Sequence, residues 1–322
     1  MTEERFRDRE IRFANGAVGR SIEIRSANPR NYHQLVSAPA AMPPVTIDGQ
    51  LFLPPKRGPK VPLVIVVPGS LSVAPSHLAH AETFTDQGFA SFVLDPFGGR
   101  GVTSTVANQT QFSFAASAHD VMAAVRQLAG LPEIDASRIG LQGHSRGGSA
   151  VLSAVMRRLH AGLWRNDVRV RSVLAAYPWC GHQPLDPDVA GCVIRVLIGD
   201  QDDWVSPQQA QGFVQAMRVR GAAASIRIFA DAEHSFDRLE PVHAIPEASV
   251  SPAAPTAYLA NDGAFIHPAT GIADATLVDR DLAVYALKAG YGQKGATIGT
   301  KSDQAAAFRD DMKAFFAGTL AG

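Results

Sequence analysis

Residues 138–149 read Arg-Ile-Gly-Leu-Gln-Gly-His-Ser-Arg-Gly-Gly-Ser, and they constrain the fold more than any other stretch of the chain. A short apolar strand at 138–141 runs into Gly143-His144-Ser145-Arg146-Gly147, and a helix-like run at 150–159 follows directly. Gly-x-Ser-x-Gly between strand and helix is a nucleophile elbow, a turn so tight that only glycine fits on either side of the serine. Such a turn lifts a hydroxyl above the sheet edge and aims the next backbone N–H at the same point. The bare motif is weak, because a chain with 28 glycines can produce one by chance. The strand before it and the helix after it supply the context that gives it meaning.

The rest of the pattern agrees with that placement. Residues 63–67 form a short, β-branched apolar run typical of a strand buried on both faces. A helix-like segment at 77–87 ends at Gly88, and a second buried strand follows at 89–94. Residues 115–129 space Val121, Val125 and Leu128 helically and stop at Gly130, with Pro132 just beyond. After the elbow come strands at 172–176 and 193–198, a helix at 207–217 and a strand at 226–229. Strands alternating with helices of this length imply a mostly parallel sheet covered on both faces. The expected architecture is one doubly wound α/β domain over 1–322, with about eight strands flanked by helices.

Two regions are less regular. Residues 1–60 read as an N-terminal strand extension, with a hairpin signal at Asn15-Gly16, a strand at 21–25 and an extended Pro-rich linker at 39–44. Residues 45–53 alternate around Asp48-Gly49, a second turn signal. Residues 241–302 form an irregular insertion rich in Pro, Ala and Gly, with a hairpin signal at Asn261-Asp262-Gly263. That insertion either extends the sheet or folds over the site as a lid, and sheet extension is the simpler expectation. An amphipathic helix at 305–316 closes the chain, with Phe308, Met312, Phe315 and Phe316 on one face.

Composition excludes several classes of function. A hydrophobic content of 46% and a charged fraction of 19% suit a soluble protein with a sizeable core. Thirty Lys and Arg balance thirty Asp and Glu, so no global field points to nucleic acid or an anionic membrane as partner. No apolar run reaches bilayer length, and the densely charged first ten residues lack the apolar stretch of a secretory signal. A cytoplasmic location is the expectation. Cys180 and Cys192 match neither a metal nor a redox spacing, so buried free thiols are expected. The histidines show no helical pair with a carboxylate; neither metal nor cofactor is expected.

In open parallel sheets, chemistry collects in loops at the carboxyl ends of the strands. Ser145 occupies one such loop. The loop at 199–207 crowds Asp200, Asp202 and Asp203 together, and a triad needs one buried Asp to accept from a histidine and stabilise its imidazolium. Asp202 is the candidate, a choice the resemblance below reinforces. His234, in the loop after the last strand of the series, is the candidate general base and completes the order Ser, Asp, His of α/β-hydrolases. The oxyanion hole would take one N–H from Arg146 and a second from Ser70 or Leu71, between which the sequence does not decide.

These residues resemble the dienelactone hydrolase family of α/β-hydrolases. The resemblance spans 61–234 and extends to the final helix. It rests on Pro68-Gly69-Ser70, Asp95-Pro96-Phe97-Gly98-Gly99-Arg100-Gly101, Gly143-His144-Ser145-Arg146-Gly147-Gly148, Tyr177-Pro178-Trp179-Cys180, Gly199-Asp200-Gln201-Asp202 and Glu233-His234-Ser235-Phe236. The family's Gly-x-x-Asp element puts the acid at Asp202. Dienelactone hydrolases proper use a Cys nucleophile where this chain has Ser145, so the resemblance implies a serine esterase rather than activity on dienelactone. Residues 1–60 and 241–302 lie outside the usual family core.

The expected function is hydrolysis of a small carboxylic ester through an acyl-enzyme. The alternatives are a lactone hydrolase, a serine peptidase of the same fold and a non-catalytic binding protein. A prolyl-oligopeptidase-like peptidase normally carries a propeller, for which the chain is too short, and an intact triad argues against a binding protein. Arg100, Tyr177 and Trp179 are candidate pocket residues; Arg100 would grip a substrate carboxylate or make a structural salt bridge. His77 and His80 are expected on a helix surface and His144 in packing. The pocket would be built from 96–113, 179–191 and 241–302, and neither the particular ester nor the oligomeric state, homodimer included, follows from the sequence.

Overall fold

The computed structural model describes residues 4–160, 166–189 and 191–321. In chain order the elements are β1 (Arg20–Ala27), α1 (Tyr32–Ser37), β2 (Pro44–Phe52), β3 (Val61–Val67), α2 (Pro75–Asp86), β4 (Ala90–Asp95) and α3 (Phe114–Leu128). There follow β5 (Ile134–His144), α4 (Arg146–Ala154), β6 (Val170–Ala176), β7 (His182–Pro184), β8 (Val193–Gly199), α5 (Pro207–Val219) and β9 (Ala223–Phe229). The chain ends through β10 (His243–Val250), β11 (Ala257–Leu259), β12 (Phe265–Ile266), β13 (Ala273–Asp274), α6 (Asp279–Lys288), β14 (Gln293–Ile298) and α7 (Gln304–Leu320).

Eight strands form the main sheet in the order β1-β2-β4-β3-β5-β6-β8-β9. The pairs from β4 to β9 are parallel, while β1 and β2 add an antiparallel edge. Every residue of β3 is buried, as its unbroken apolar run demands of a central strand covered on both faces. Helices α2 and α7 pack together against the central strands, and α3 packs on α4. A Cβ on Gly140 would come within 2.7 Å of Phe316, so glycine in β5 is what lets α7 lie close to the sheet. One core runs from Phe6 to Leu320. This is the α/β-hydrolase fold. Among the described residues no helix is long and apolar enough to cross a membrane.

Several local expectations change. Asp48-Gly49 is not a turn: β2 runs straight through it, and Gly49 lies where a Cβ would meet the Val93 carbonyl of β4 at 2.4 Å. Glycine here answers to a neighbouring strand, which is invisible along the chain. The linker at 39–44 contains a 3-10 turn, Pro39–Ala41, before β2 begins. Helix α4 stops at Ala154, although Leu159 is still buried. The turns at Asn15-Gly16 and Asn261-Asp262-Gly263 do form, with Gly16 at φ 90° and Gly263 at φ 80°.

The insertion does not extend the main sheet, which ends at β9. Strands β10 and β14 pair into a separate ribbon, and β13, β12 and β11 join β7 in a small second sheet. The β11–β7 pairing is parallel, with Ala257 opposite His182, so the insertion and the loop after β6 build each other. Strand pairing is a non-local choice that the insertion's own residues do not announce.

Candidate active site

Ser145 joins β5 to α4 with φ 52° and ψ −114°, a conformation that L-residues rarely adopt. The flanking glycines make that turn sterically accessible. A Cβ on Gly143 would sit 2.1 Å from the Gly147 carbonyl, and one on Gly147 would sit 2.4 Å from that of Val67. The Ser145 amide donates to the Ala176 carbonyl at 2.9 Å, which pins the elbow to β6. Its hydroxyl is then 2.9 Å from His234 Nε2, and His234 Nδ1 is 2.8 Å from Asp202 Oδ2. The other Asp202 oxygen accepts from the Trp204 and Val205 amides at 3.0 and 2.9 Å. All three side chains are buried.

The acidic loop sorts itself by partner. Asp202 turns inward to His234, Asp203 accepts from the Thr297 amide and hydroxyl, and Asp200 stays exposed. The His234 ring is held between Trp204, stacked at 5.2 Å, and the edge of Tyr177 at 4.6 Å. Its carbonyl accepts from the Gly299 amide at 3.0 Å, so the end of the insertion fixes the histidine loop.

Tyr177 therefore supports the histidine and does not line the main cavity. It takes φ 35°, and its hydroxyl donates to Asp237 Oδ1 at 2.6 Å. Behind it lie the largest departures from expectation: His77 and His80 are buried, not on a helix surface. His80, His144 and Asp237 bring ligand-type atoms within 4.8 Å of one another. Gln142 explains that cluster without a metal. Its amide nitrogen lies 2.7 Å from His80 Nδ1 and 3.2 Å from His144 Nε2, so one NH₂ donates to both rings. The remaining ring nitrogens then face Asp237 Oδ2 at 3.5 Å and the Val67 carbonyl at 3.4 Å. Burial lowers the pKa of His80 to about 3 and also lowers that of His144, consistent with neutral rings. Burial alone would raise Asp237, but its neighbours, among them the Tyr177 hydroxyl that donates to it, hold the carboxyl below its usual value.

On the other side of Ser145 a cavity of about 580 Å³ opens. Phe114, Arg146, Trp179 and His182 line it from the core, and residues from β10 to α6 roof it. Ser70 lines this cavity and a smaller hollow beside the triad, while Leu71 lines only the hollow. Arg146 opens α4, where the first amides of a helix have no intrahelical acceptor. Its side chain lies between the Phe112 and Phe114 rings at 4.4 and 4.1 Å and donates to Ser117 and to the Gln109 and Phe112 carbonyls. Burial pushes that guanidinium down to about 10.

Arg100 does not reach the cavity. Both its terminal nitrogens bind Asp120, at 2.7 and 2.9 Å, and Nε donates to Asn28, so it is a structural ion pair that closes β1 against α3. The glycines around it signalled close approach, but the approaching group is Thr46 of β2, whose carbonyl lies 2.2 Å from a Cβ on Gly99. Cys180 and Cys192 are free and buried, and burial raises both thiols, that of Cys192 to about 12. Residue 190, within the expected pocket segment 179–191, lies outside the described residues. Sequence reasoning missed Asp237, His182 and Asp279. Asp237 directly follows the quoted His234-Ser235-Phe236 motif, and that adjacency was the available signal.

The family model of the dienelactone hydrolase family matches residues 47–258. No curated protein matches the chain. Among solved structures, one titled m3DLH aligns with a TM-score of 0.54 at 16% identity, covering 94% of this chain and 99% of that one. A dienelactone hydrolase-like promiscuous phosphotriesterase, P91, from metagenomic libraries gives 0.51 at 15% identity, covering 93% and 99%. The esterase Est22 gives 0.51 at 16% identity, covering 70% and 75%. At these identities the likenesses show the fold.

Proposed function

The chain belongs to the dienelactone hydrolase family, and we propose that within it this protein is a serine hydrolase that cleaves a small carboxylic ester through an acyl-enzyme. One observation carries the reading: an unbroken chain of short contacts from the Ser145 hydroxyl through His234 to Asp202.

Ser145 Oγ attacks the ester carbonyl as its proton passes to His234 Nε2. Asp202 accepts from Nδ1, which keeps the lone pair of Nε2 facing the serine and stabilises the imidazolium that forms. The Trp204 and Val205 amides stop the carboxylate from rotating away. The oxyanion of the tetrahedral intermediate meets the Arg146 amide and that of Ser70 or Leu71, each such donor being worth about 3–4 kcal/mol. The Ser145 amide, spent on Ala176, does not take part. His234 then protonates the leaving alcohol and activates the water that releases the acid.

The cavity beside Ser145 receives the substituents of the ester, and residues 241–302 act as its lid. Relatives with esterase in their titles share this fold, which agrees with the reading. The test is fluorophosphonate labelling together with p-nitrophenyl ester turnover. We expect both in the wild type and neither in Ser145→Ala. A well-folded wild type that neither labels nor hydrolyses short esters would refute the assignment.

A further inference from the structure

His182 lines the cavity, and the proposed mechanism does not use its imidazole. It stands at the start of β7 in a cage of rings: Trp179 and Phe265 lie 4.5 and 4.6 Å away and Phe114 5.5 Å. The backbone of Trp179 ties this cage to the nucleophile, because its amide approaches the Ser145 carbonyl at 3.5 Å. Behind His182 is Asp279, the first residue of α6, also buried. One Asp279 oxygen accepts from the Phe114 amide at 2.7 Å. The other, Oδ1, has no hydrogen-bond partner and lies 3.8 Å from His182 Nδ1, which is equally unpartnered and occluded.

A buried carboxylate oxygen 3.8 Å from a buried ring nitrogen favours the tautomer with its proton on that nitrogen. A proton on Nδ1 points at Oδ1, and the lone pair is left on Nε2. That second nitrogen is not among the occluded atoms and makes no hydrogen bond with any described residue. His182 lines the cavity, so Nε2 is the acceptor it offers there. Burial depresses the imidazole's pKa to about 3, which keeps the ring neutral at working pH. An ammonium group is a poor match, since the Arg146 guanidinium lines the same cavity. A neutral hydroxyl can donate to Nε2 while the flat group that carries it packs on Trp179 and Phe114.

We propose that His182, oriented by Asp279, is a substrate-binding residue that accepts a hydrogen bond from a hydroxyl on an aromatic arm of the ester. This deepens the ester-hydrolase reading and rests on it. A polar group left unpaired when the hydroxyl is missing costs binding, so discrimination comes from the deoxy substrate's penalty. Asp279 acts through the ring as a positioning residue.

The experiment compares kcat/KM for matched esters with and without one hydroxyl. Ethyl 3-(4-hydroxyphenyl)propanoate against ethyl 3-phenylpropanoate tests the acyl arm, and 4-(hydroxymethyl)benzyl acetate against benzyl acetate tests the alcohol arm. The wild type should favour the hydroxylated member by about tenfold or more in one arm, as one such hydrogen bond warrants. His182→Phe should bring that ratio close to one, whereas His182→Gln, whose amide oxygen reaches the Nε2 position, should restore much of it. A purely structural role would not separate these two variants. Ratios within twofold in both arms of an active wild type overturn the inference and leave the esterase reading standing. So does a preference that persists in His182→Phe. Should His182→Phe fail to fold, wild-type ratios within twofold still overturn the inference. No turnover of any member and no labelling of Ser145 would instead refute the esterase reading, and this inference with it.

Discussion

Replacing Asp202 with Asn tests the triad assignment atom by atom. The two side chains are nearly isosteric, so the loop should keep its shape. The Asn carbonyl has only one good orientation, because Oδ1 of Asp202 accepts from two backbone amides at 3.0 and 2.9 Å. Turning an NH₂ toward those amides would break both hydrogen bonds and bury unpaired donors, at about 1–3 kcal/mol each. The amide nitrogen therefore takes the Oδ2 position, 2.8 Å from His234 Nδ1, and donates to it. That places the ring proton on Nε2, facing Ser145 Oγ, where the mechanism needs a lone pair. Loss of the base in this way is worth about 10,000-fold in kcat, or about 5 kcal/mol of barrier. The assay is p-nitrophenyl acetate turnover alongside a thermal melt. Asp203→Asn is the control, since Asp203 holds Thr297 and makes no contact with the histidine; it should stay within about tenfold of wild type, far from the 10,000-fold loss of a wrong tautomer. A loss below tenfold in Asp202→Asn, or an equal loss in Asp203→Asn, would overturn the argument.

Gly147→Ala should cut turnover by about a hundredfold or more, because its Cβ cannot coexist with the Val67 carbonyl at 2.4 Å and the elbow must shift; wild-type kinetics in the variant would refute the steric argument. Arg100→Met strands the buried Asp120 carboxylate and should cost about 3–5 kcal/mol of stability, read by denaturant unfolding, while ester kcat/KM of the folded enzyme stays near wild type. Burial raises the Asp279 carboxyl to about 6, so the native state holds a proton that the unfolded chain has already released near its ordinary value. Stability from this group is therefore fully present below about pH 4 and is lost as pH climbs through about 6. Asp279→Asn, which cannot lose that proton, should gain in Tm relative to wild type across the same interval; a pH-independent difference would contradict the assignment.

Much of the site was legible because it obeys local rules. The elbow declares itself through glycines that its own backbone requires, and the parallel sheet declares itself through apolar runs such as residues 63–67, buried on both faces. Chain order and strand ends then bring Ser145, Asp202 and His234 to one edge. What the tertiary structure decided depends on contacts between distant segments. Arg100 suited either a substrate clamp or a structural ion pair until α3 supplied Asp120. The insertion looked like more sheet until β11 paired with β7 and roofed a cavity instead. Gly49 read as a turn until β4 crossed beside it. His80, His144 and Asp237 are buried as one network, and His182 faces Asp279 although the two stand 97 positions apart in sequence. Local pattern records what a residue does to its own backbone; it carries no record of which remote partner a charged or polar side chain will meet once burial removes water as the alternative.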